Sequence, residues 1–290
     1  MNAKKMLAQL KRELWENRVG FIWAPLVLSG LLFVVAMWVV LENITIHGEN
    51  NIPVSASSPG AMVLMTLIYQ VASSAVYLIS FAIVIAVYAH SSLFADRKSR
   101  EILFWRSMPV SETVNVLTKL AMILILMPLI VFLGALIGGL LFALFLAVLN
   151  PALHEFGAAL RELYVSVELL MSSFIVVMLL LPLIAWSLFC SAFARRSPVT
   201  ISLAVPLGLW IVDSIAQRYL EINLLFKDAL RAYAQLTSTT AKKMMADSQT
   251  SLFDIDLLSR ADIPVVSVAL LFSAVMIGVT IWLRNNRYEI

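Results

Sequence analysis

Charged residues are scarce in this 290-residue chain: Asp, Glu, Lys and Arg make up 13% of it, whereas hydrophobic residues make up 61%. A soluble domain carries about 25% charged and about 45–50% apolar residues, so this chain has too few charges to cover a surface that faces water. The composition therefore excludes an ordinary soluble fold. It predicts an all-α, polytopic membrane protein.

The chain also lacks most of the residues that build reactive or metal sites. Its single cysteine, Cys190, excludes an intrachain disulfide and a cysteine-based metal cluster. The sequence contains no H-E-x-x-H motif, no nucleophile elbow and no Gly-Lys dipeptide for a Walker A loop. A metal site built from His47, Glu49, His154 and Glu155 lacks any local ligand spacing. We therefore expect no catalytic residue, no metal and no cofactor on this chain, and its net charge of +3 does not require nucleic acid.

Long apolar runs are what the sequence has in abundance. Six occur, each long enough to cross a hydrocarbon core as a helix, at residues 21–41, 61–90, 114–149, 167–194, 199–217 and 264–283. Pro128 and Pro182 fall inside the third and fourth runs and predict kinks, because proline lacks an amide hydrogen. Gly134 and Gly138 have the four-residue spacing that lets membrane helices approach closely, and predict packing within the chain.

Charges between the runs predict which ends lie in the cytoplasm. We call residues 1–20, 91–119, 195–198 and 284–290 the base-rich side. These segments hold 14 of the 21 lysines and arginines and six of the 18 acids, a net charge of +8, and the rest of the chain carries −5. Because basic connections are retained in the cytoplasm, both termini are predicted to be cytoplasmic.

Two segments outside the membrane core are predicted to be amphipathic. Residues 1–20 have leucines at helical spacing among bases and predict an interfacial elbow helix, followed by the transmembrane domain, 21–290. In the extracytoplasmic segment 217–262, apolar residues from Ile222 to Leu236 predict a helix that either caps the bundle or forms a lid. Asp213, late in the fifth run, either anchors a helix end or contacts a substrate or ion.

The second apolar run carries a polar stripe. Thr66, Gln70, Ser73, Tyr77 and Ser80 are separated by four, three, four and three residues, so they share one helix face. Their polar groups would lack partners in lipid, so this face meets protein or a wet cavity. The stripe therefore either bonds neighbouring helices or lines a translocation path, and Asp213 is the other candidate for that path.

Residues 91–112, between the second and third runs, form the most informative segment. Its dense charge cluster, Asp96 to Glu101, is followed at once by four large apolar residues: Ile102, Leu103, Phe104 and Trp105. Large apolar side chains on a cytoplasmic loop call for a partner surface or the membrane interface. The pattern is typical of a short amphipathic helix that docks into a cytoplasmic partner.

The end of this segment contains a stop and a start signal for helices. Pro109 predicts the end of the short helix, because proline has no amide hydrogen with which to continue the helical hydrogen bonds. Ser111 and Glu112 predict the N-cap and the acidic first turn of the next helix.

This arrangement resembles the permease subunits of ABC-2-type ATP-binding-cassette exporters. The likeness covers the layout of nearly the whole chain, including an N-terminal helix that ends in KRELWENR, and its specific part is about thirty residues long. Thr118 stands where many relatives have glycine. The matching residues are Asp96, Arg97, Lys98, Glu101, Ile102, Leu103, Met108, Pro109, Val110, Ser111 and Lys119.

The resemblance implies a transport function that depends on other subunits. It implies a bacterial inner-membrane exporter with a second permease copy or paralogue, membrane lipids around it, and cytoplasmic ABC ATPase subunits that carry ATP and Mg. A scaffold or sensor that recruits a non-ATPase partner is the alternative, and the sequence does not indicate the substrate. The implied ATPase-docking residues are Asp96, Arg97, Lys98, Glu101, Ile102, Leu103, Phe104, Trp105, Met108 and Pro109.

Overall fold

The structure, a computed structural model, describes residues 3–48, 59–98, 111–149, 156–222, 224–246 and 263–286. Within these ranges nine α-helices follow one another and no β-strand occurs, which confirms the all-α class. The helices are α1 (Ala3–Glu16), α2 (Ala24–Gly48), α3 (Pro59–Lys98), α4 (Glu112–Ala121), α5 (Met127–Leu149), α6 (Phe156–Phe193), α7 (Pro198–Tyr219), α8 (Phe226–Ala246) and α9 (Ile263–Asn286).

Six helical stretches are long and apolar enough to cross a membrane. They are Val19–Glu42, Val71–Lys98, Glu112–Val148, Leu169–Phe193, Pro198–Tyr219 and Val266–Asn286. Each overlaps one of the six apolar runs, so the prediction of a six-span, multi-pass membrane protein is confirmed. Large apolar side chains such as Trp38 and Val148 are exposed on these helices, as lipid contact requires.

Two five-residue π-helical segments interrupt the helices, each ending two residues before a proline. Val19–Trp23 precedes Pro25, and Met122–Leu126 precedes Pro128. A proline removes the amide that would pair with the carbonyl four residues earlier. In a π-helix each carbonyl pairs with the amide five residues ahead, so these segments bypass the missing donor.

The prolines of α6 and α7 behave differently. Pro182 and Pro206 lie inside these helices without a change of helix type. Near Pro182, the hydroxyl of Tyr233 donates to the carbonyl of Leu179. This contact lies one residue from the carbonyl that Pro182 leaves without a helical partner, and supplies an outside donor at that turn.

Contacts divide the chain into two compact units. The first unit is Met1–Gln9, Ile85–Ala121 and Ile175–Ile290, and the second unit is Leu10–Val84 and Met122–Phe174. The helices α1, α3 and α6 therefore contribute residues to both.

In the second unit, α2 packs against α5. Tyr69 and Phe142 stack with ring centroids 4.2 Å apart, in a core that also contains Val40 and Leu146. A Cβ atom at Gly138 would lie 3.2 Å from the hydroxyl oxygens of Tyr69 and Tyr77. The close helix approach predicted from the glycine spacing therefore occurs within the chain.

In the first unit, α9 packs against α4, and α8 contacts α7 and α9. Ser197 caps α7, since its hydroxyl accepts the amide of Thr200 at 3.4 Å. The turn after α7 holds Glu221 at φ 55° and Leu225 at φ 60°. This left-handed conformation interrupts the helix, so α8 begins at Phe226 and not at Ile222, where the apolar spacing begins.

Candidate functional site

Four charged side chains of the first unit meet where helices begin or end. Asp96 lies near the end of α3, Glu112 and Lys119 lie in α4, and Arg284 lies near the end of α9. Lys119 Nζ donates to Asp96 Oδ1 at 3.3 Å, and Arg284 Nε donates to Glu112 Oε2 at 2.8 Å. Arg284 Nη2 also lies 3.6 Å from Asp96 Oδ2. We call these four residues the charge cluster.

Three members of the charge cluster are buried, Glu112 is partly buried, and the four charges sum to zero. Asp96, Lys119 and Arg284 are 7%, 2% and 6% exposed, and the side chain of Glu112 is 13% exposed. Two acids face two bases, and every ion has an opposite charge within 3.3 Å. Taking an ion out of water costs on the order of several kcal/mol. Only a close opposite charge offsets a cost of that size. Removing one member therefore leaves an uncompensated charge.

Local sequence explains the position of Glu112 in the charge cluster. Glu112 lies in the first turn of α4, where the helix dipole favours an acid. Ser111 begins that helix as predicted, because its hydroxyl accepts the amide of Val114 at 3.4 Å. Asp96 and Glu112 therefore flank residues 99–110 on either side, and Arg284 lies close to both of them.

Arg97 links α3 to the end of α6. Its Nη2 donates to the carbonyl oxygens of Ser191 at 2.9 Å and Ala194 at 2.5 Å. The last carbonyls of a helix have no partner within the helix, and an arginine side chain can satisfy them. Arg97 therefore acts as a C-terminal cap for α6.

Further contacts join the segments of the base-rich side. The Thr118 hydroxyl donates to Gln9 Oε1 at 3.1 Å. His90 Nε2 lies 2.9 Å from Ser202 Oγ, which brings α3 to the start of α7. Residues 91–119 therefore contact three other parts of the chain. Thr118 contacts residues 1–20, the charge cluster contacts residues 284–290, and Arg97 contacts the end of α6. These contacts hold the segments together within the first unit.

The predicted docking residues fall into two groups. Asp96 and Arg97 have the intramolecular partners given above, and Lys98 is exposed. The others, Glu101, Ile102, Leu103, Phe104, Trp105, Met108 and Pro109, lie outside the described residues. Docking through this segment stays a prediction.

The polar stripe of α3 makes contacts with neighbouring helices. The hydroxyl oxygens of Tyr77 and Ser29 are 2.7 Å apart, and the Tyr77 hydroxyl lies 3.2 Å from the carbonyl of Gly134. Ser73 is buried, and Ser80 donates to the carbonyl of Tyr77 at 2.9 Å. The side chains of Thr66 and Gln70 lie outside the described residues. At Tyr77 the stripe therefore bonds three helices, and its role in a path stays a prediction.

Asp213 is buried and holds the beginning of α8. It is 1% exposed, and its two carboxylate oxygens accept the amides of Leu224 at 3.2 Å and Lys227 at 2.9 Å. An acid that accepts amides at a helix start satisfies unpaired donors and interacts favourably with the helix dipole. These contacts give Asp213 the anchoring role that was one of its two interpretations.

Two side chains fasten α8 to neighbouring helices. Lys227 Nζ lies 5.6 Å from the ring centroid of Trp210 in α7. The bond from Tyr233 to Leu179 fastens it to α6, and burial raises the pKa of Tyr233 to about 12. Because α8 is held at its beginning and its middle, these contacts favour a cap over a freely moving lid.

Sequence reasoning did not find the pairing of Arg284 with the acids on both sides of residues 99–110. The charge pattern treats Arg284 and Lys119 only as two of the 14 bases of the base-rich side, and the family resemblance adds Lys119 as a motif residue. A signal was available, because Lys119 lies inside the third apolar run, where a charge needs a partner. The sequence does not say which of the distant acids supplies it.

The described residues contain no group of three or more His, Cys, Asp or Glu side chains that is arranged to hold a metal ion. The histidine and glutamate side chains considered for an outer metal site lie outside the described part of the chain. Comparison with protein-family models, with curated proteins and with solved structures finds no match for this chain.

Proposed function

We propose that this protein is the membrane-spanning permease subunit of an ATP-driven exporter of the ABC-2 type. It works in the bacterial inner membrane with both termini in the cytoplasm. It pairs with a second copy or a paralogue, and separate cytoplasmic ATPase subunits bind ATP and Mg. The resemblance of residues 96–119 to this family motivates the proposal, and the base-rich side supports the orientation.

The observation that supports this function best is the position of Arg284. It pairs with Glu112 at 2.8 Å and lies 3.6 Å from Asp96, so one residue of the last span contacts both flanks of residues 99–110. A displacement of that segment by a partner would move at least one flank. Separating buried opposite charges costs several kcal/mol. The last span would therefore have to move with that flank, or Arg284 would have to exchange its acidic partners.

A transporter needs two alternative packings of its helices. ATP binding can drive the change only if the whole complex binds ATP differently in the two states. Helix shifts at packed contacts are an established way to transmit such a preference. In our proposal, docking at residues 101–109 moves the ends of α3 and α4, and Arg284 carries that movement to α9.

The first experiment asks whether an ATPase is the partner. The protein is purified from its native membrane under mild conditions, and associated proteins are identified by mass spectrometry. We expect a soluble protein with a G-x-x-x-x-G-K-[ST] loop, and ATP hydrolysis by the complex. A reproducible partner without this loop, and a complex without ATP hydrolysis, would support the scaffold or sensor in place of the exporter.

The second experiment tests the docking segment. Glu101→Lys and Trp105→Ala are expected to reduce ATPase recovery or transport at least tenfold while the membrane fold survives, because interface anchors dominate binding. Glu221→Lys and Trp38→Ala change exposed residues of the same types and serve as matched controls. Normal co-purification and transport by both docking variants would contradict the assignment.

The third experiment separates docking from transmission. Arg284→Lys keeps a positive charge but removes the planar fork that contacts both acids. We expect this variant to retain the ATPase and its hydrolysis while transport falls. Unchanged transport per ATP hydrolysed would show that Arg284 does not carry the movement.

A further inference from the structure

An apolar cavity of about 220 Å³ lies within the second unit. Its walls come from the beginning of the first span, from α3 and from the start of α5. Its lining includes Gly20, Ala24, Phe81, Val84, Met127 and Val131. The cavity adjoins both π-helical segments, since Gly20 belongs to one and Met127 directly follows the other.

The polar groups at the wall are already occupied by protein partners. The Tyr77 hydroxyl is engaged with Ser29 and Gly134, and the Ser80 hydroxyl donates to the carbonyl of Tyr77. The lumen therefore presents hydrocarbon surface and offers water few partners. An apolar cavity of about 150 Å³ in a protein core stays dry and takes up benzene or xenon. A larger cavity with an apolar lining is suited to a hydrocarbon ligand.

The position of the cavity indicates where such a ligand comes from. Phe81, Met127 and Val131 are buried at its inner wall, whereas Ala24 at its edge is exposed. Ala24 follows Val19, the first residue of the span, by five residues, which is about one turn of the π-helical segment. At that depth the abundant apolar molecules are the acyl chains of the adjacent leaflet.

We propose that this cavity binds one acyl chain of a membrane phospholipid. The acyl chain enters past Ala24 from the leaflet at the N-terminal end of the first span. The part of the acyl chain that lies deepest in the cavity contacts Met127. This inference does not rest on the exporter proposal, because it depends only on the cavity, its lining and the membrane position of these helices.

Gly20 offers a way to fill the cavity from within. A Cβ atom at Gly20 would lie 3.8 Å from Val84 Cγ1, an ordinary contact, so a methyl group fits and a larger side chain occupies the lumen. Gly30 is the matched control on the same span, because a Cβ atom there would meet nothing within 4 Å. Val84→Phe fills the cavity from the opposite wall, should Gly20→Phe fail to fold.

The test uses the full-length protein in vesicles of phosphatidylethanolamine and phosphatidylglycerol that carry a photoactivatable diazirine within the acyl chain. After irradiation, labelled residues are mapped by mass spectrometry. Met127 is 3% exposed and Leu31 is 57% exposed, so bulk lipid reaches Leu31 directly but reaches Met127 only through the cavity. We expect both residues to be labelled in the unmodified protein.

The variants decide whether the label at Met127 reports the cavity. Gly20→Phe and Val84→Phe should lower it at least fivefold without changing the label at Leu31, Gly20→Ala should lower it less, and Gly30→Phe should leave both unchanged. Label confined to exposed residues such as Leu31 would mean surrounding lipid only, and would overturn the proposal. Equal label at Met127 in Gly20→Phe and Gly30→Phe would also overturn it.

Discussion

The two units use polar groups differently. In the first unit, Asp96, Glu112, Lys119 and Arg284 form a largely buried and balanced set of ions. In the second unit, the hydroxyl of Tyr77 shares neutral hydrogen bonds with neighbouring helices beside an aromatic core. Breaking one buried ion pair typically costs about 3–5 kcal/mol, whereas an interhelical hydrogen bond in a membrane protein averages about 0.6 kcal/mol. Loss of a charge from the charge cluster should therefore cost more stability than loss of the Tyr77 hydroxyl.

The largest effect is expected at Arg284. Arg284→Met should lower the free energy of unfolding in detergent by about 3–5 kcal/mol, because the largely buried Glu112 loses its nearest base. The control is Arg218→Met, since Arg218 is exposed in the last turn of α7. Adding Glu112→Gln to Arg284→Met should recover part of the loss. Equal stability of the Arg284 and Arg218 variants would abolish the contrast between the units.

The next largest effect is expected at Asp213. It compares a buried acid with an exposed acid, Asp228, in the first unit. Asp213→Ala should cost about 1–2 kcal/mol, because two amides at the beginning of α8 lose their acceptor. Hydrogen exchange should accelerate at the amides of Leu224 and Lys227. Asp228 is an exposed acid in the first turn of the same helix, and Asp228→Ala should have a smaller effect. Unchanged exchange in Asp213→Ala would contradict the capping role.

A packing substitution probes the second unit. Gly138→Ala places a methyl group 3.2 Å from two tyrosine oxygens, so it should be about 1 kcal/mol less stable than Gly278→Ala, where the new group meets nothing. Gly134→Ala should lie between them, since its nearest atom is 3.5 Å away. Thermal unfolding of the three variants measures the order. Identical midpoints would contradict close packing of α2, α3 and α5 at these glycines.

The smallest effect is expected at Tyr77. Tyr77→Phe removes the hydroxyl shared with Ser29 and Gly134 and should cost about 0.6 kcal/mol, at most about 1.7 kcal/mol. Tyr219→Phe, at a residue that is 75% exposed, should change stability by less. A loss at Tyr77 as large as that at Arg284 would mean that the second unit also depends on its polar groups.

Much of the fold could be predicted because it depends on local patterns. The six spans follow from runs of apolar residues, and the start of α4 follows from Ser111 and Glu112. The start of α8 was misplaced by four residues, since apolar spacing does not reveal the left-handed conformations of Glu221 and Leu225. The π-helical segment before Pro25 was also missed, because only prolines deep within a run were treated as disruptive.

The candidate site was predicted less completely than the fold. The charge pattern singles out residues 91–112 as a docking segment. It assigns the same docking role to Asp96, Arg97 and Lys98. In the structure Asp96 faces Lys119 and Arg284, Arg97 caps α6, and Lys98 is exposed. Neighbouring residues on a helix point in different directions, so residues adjacent in sequence acquire different partners.

The sequence by itself determined that this protein crosses a membrane with helices, because chain length, apolar runs and scarce charge leave no other way to satisfy the backbone in lipid. It also determined which segments carry the bases. Only the tertiary structure decided that Arg284 lies between Asp96 and Glu112, and that π-helical segments border an apolar cavity. Such pairings join residues far apart along the chain, and helix packing selects the partner from several that charge alone would allow.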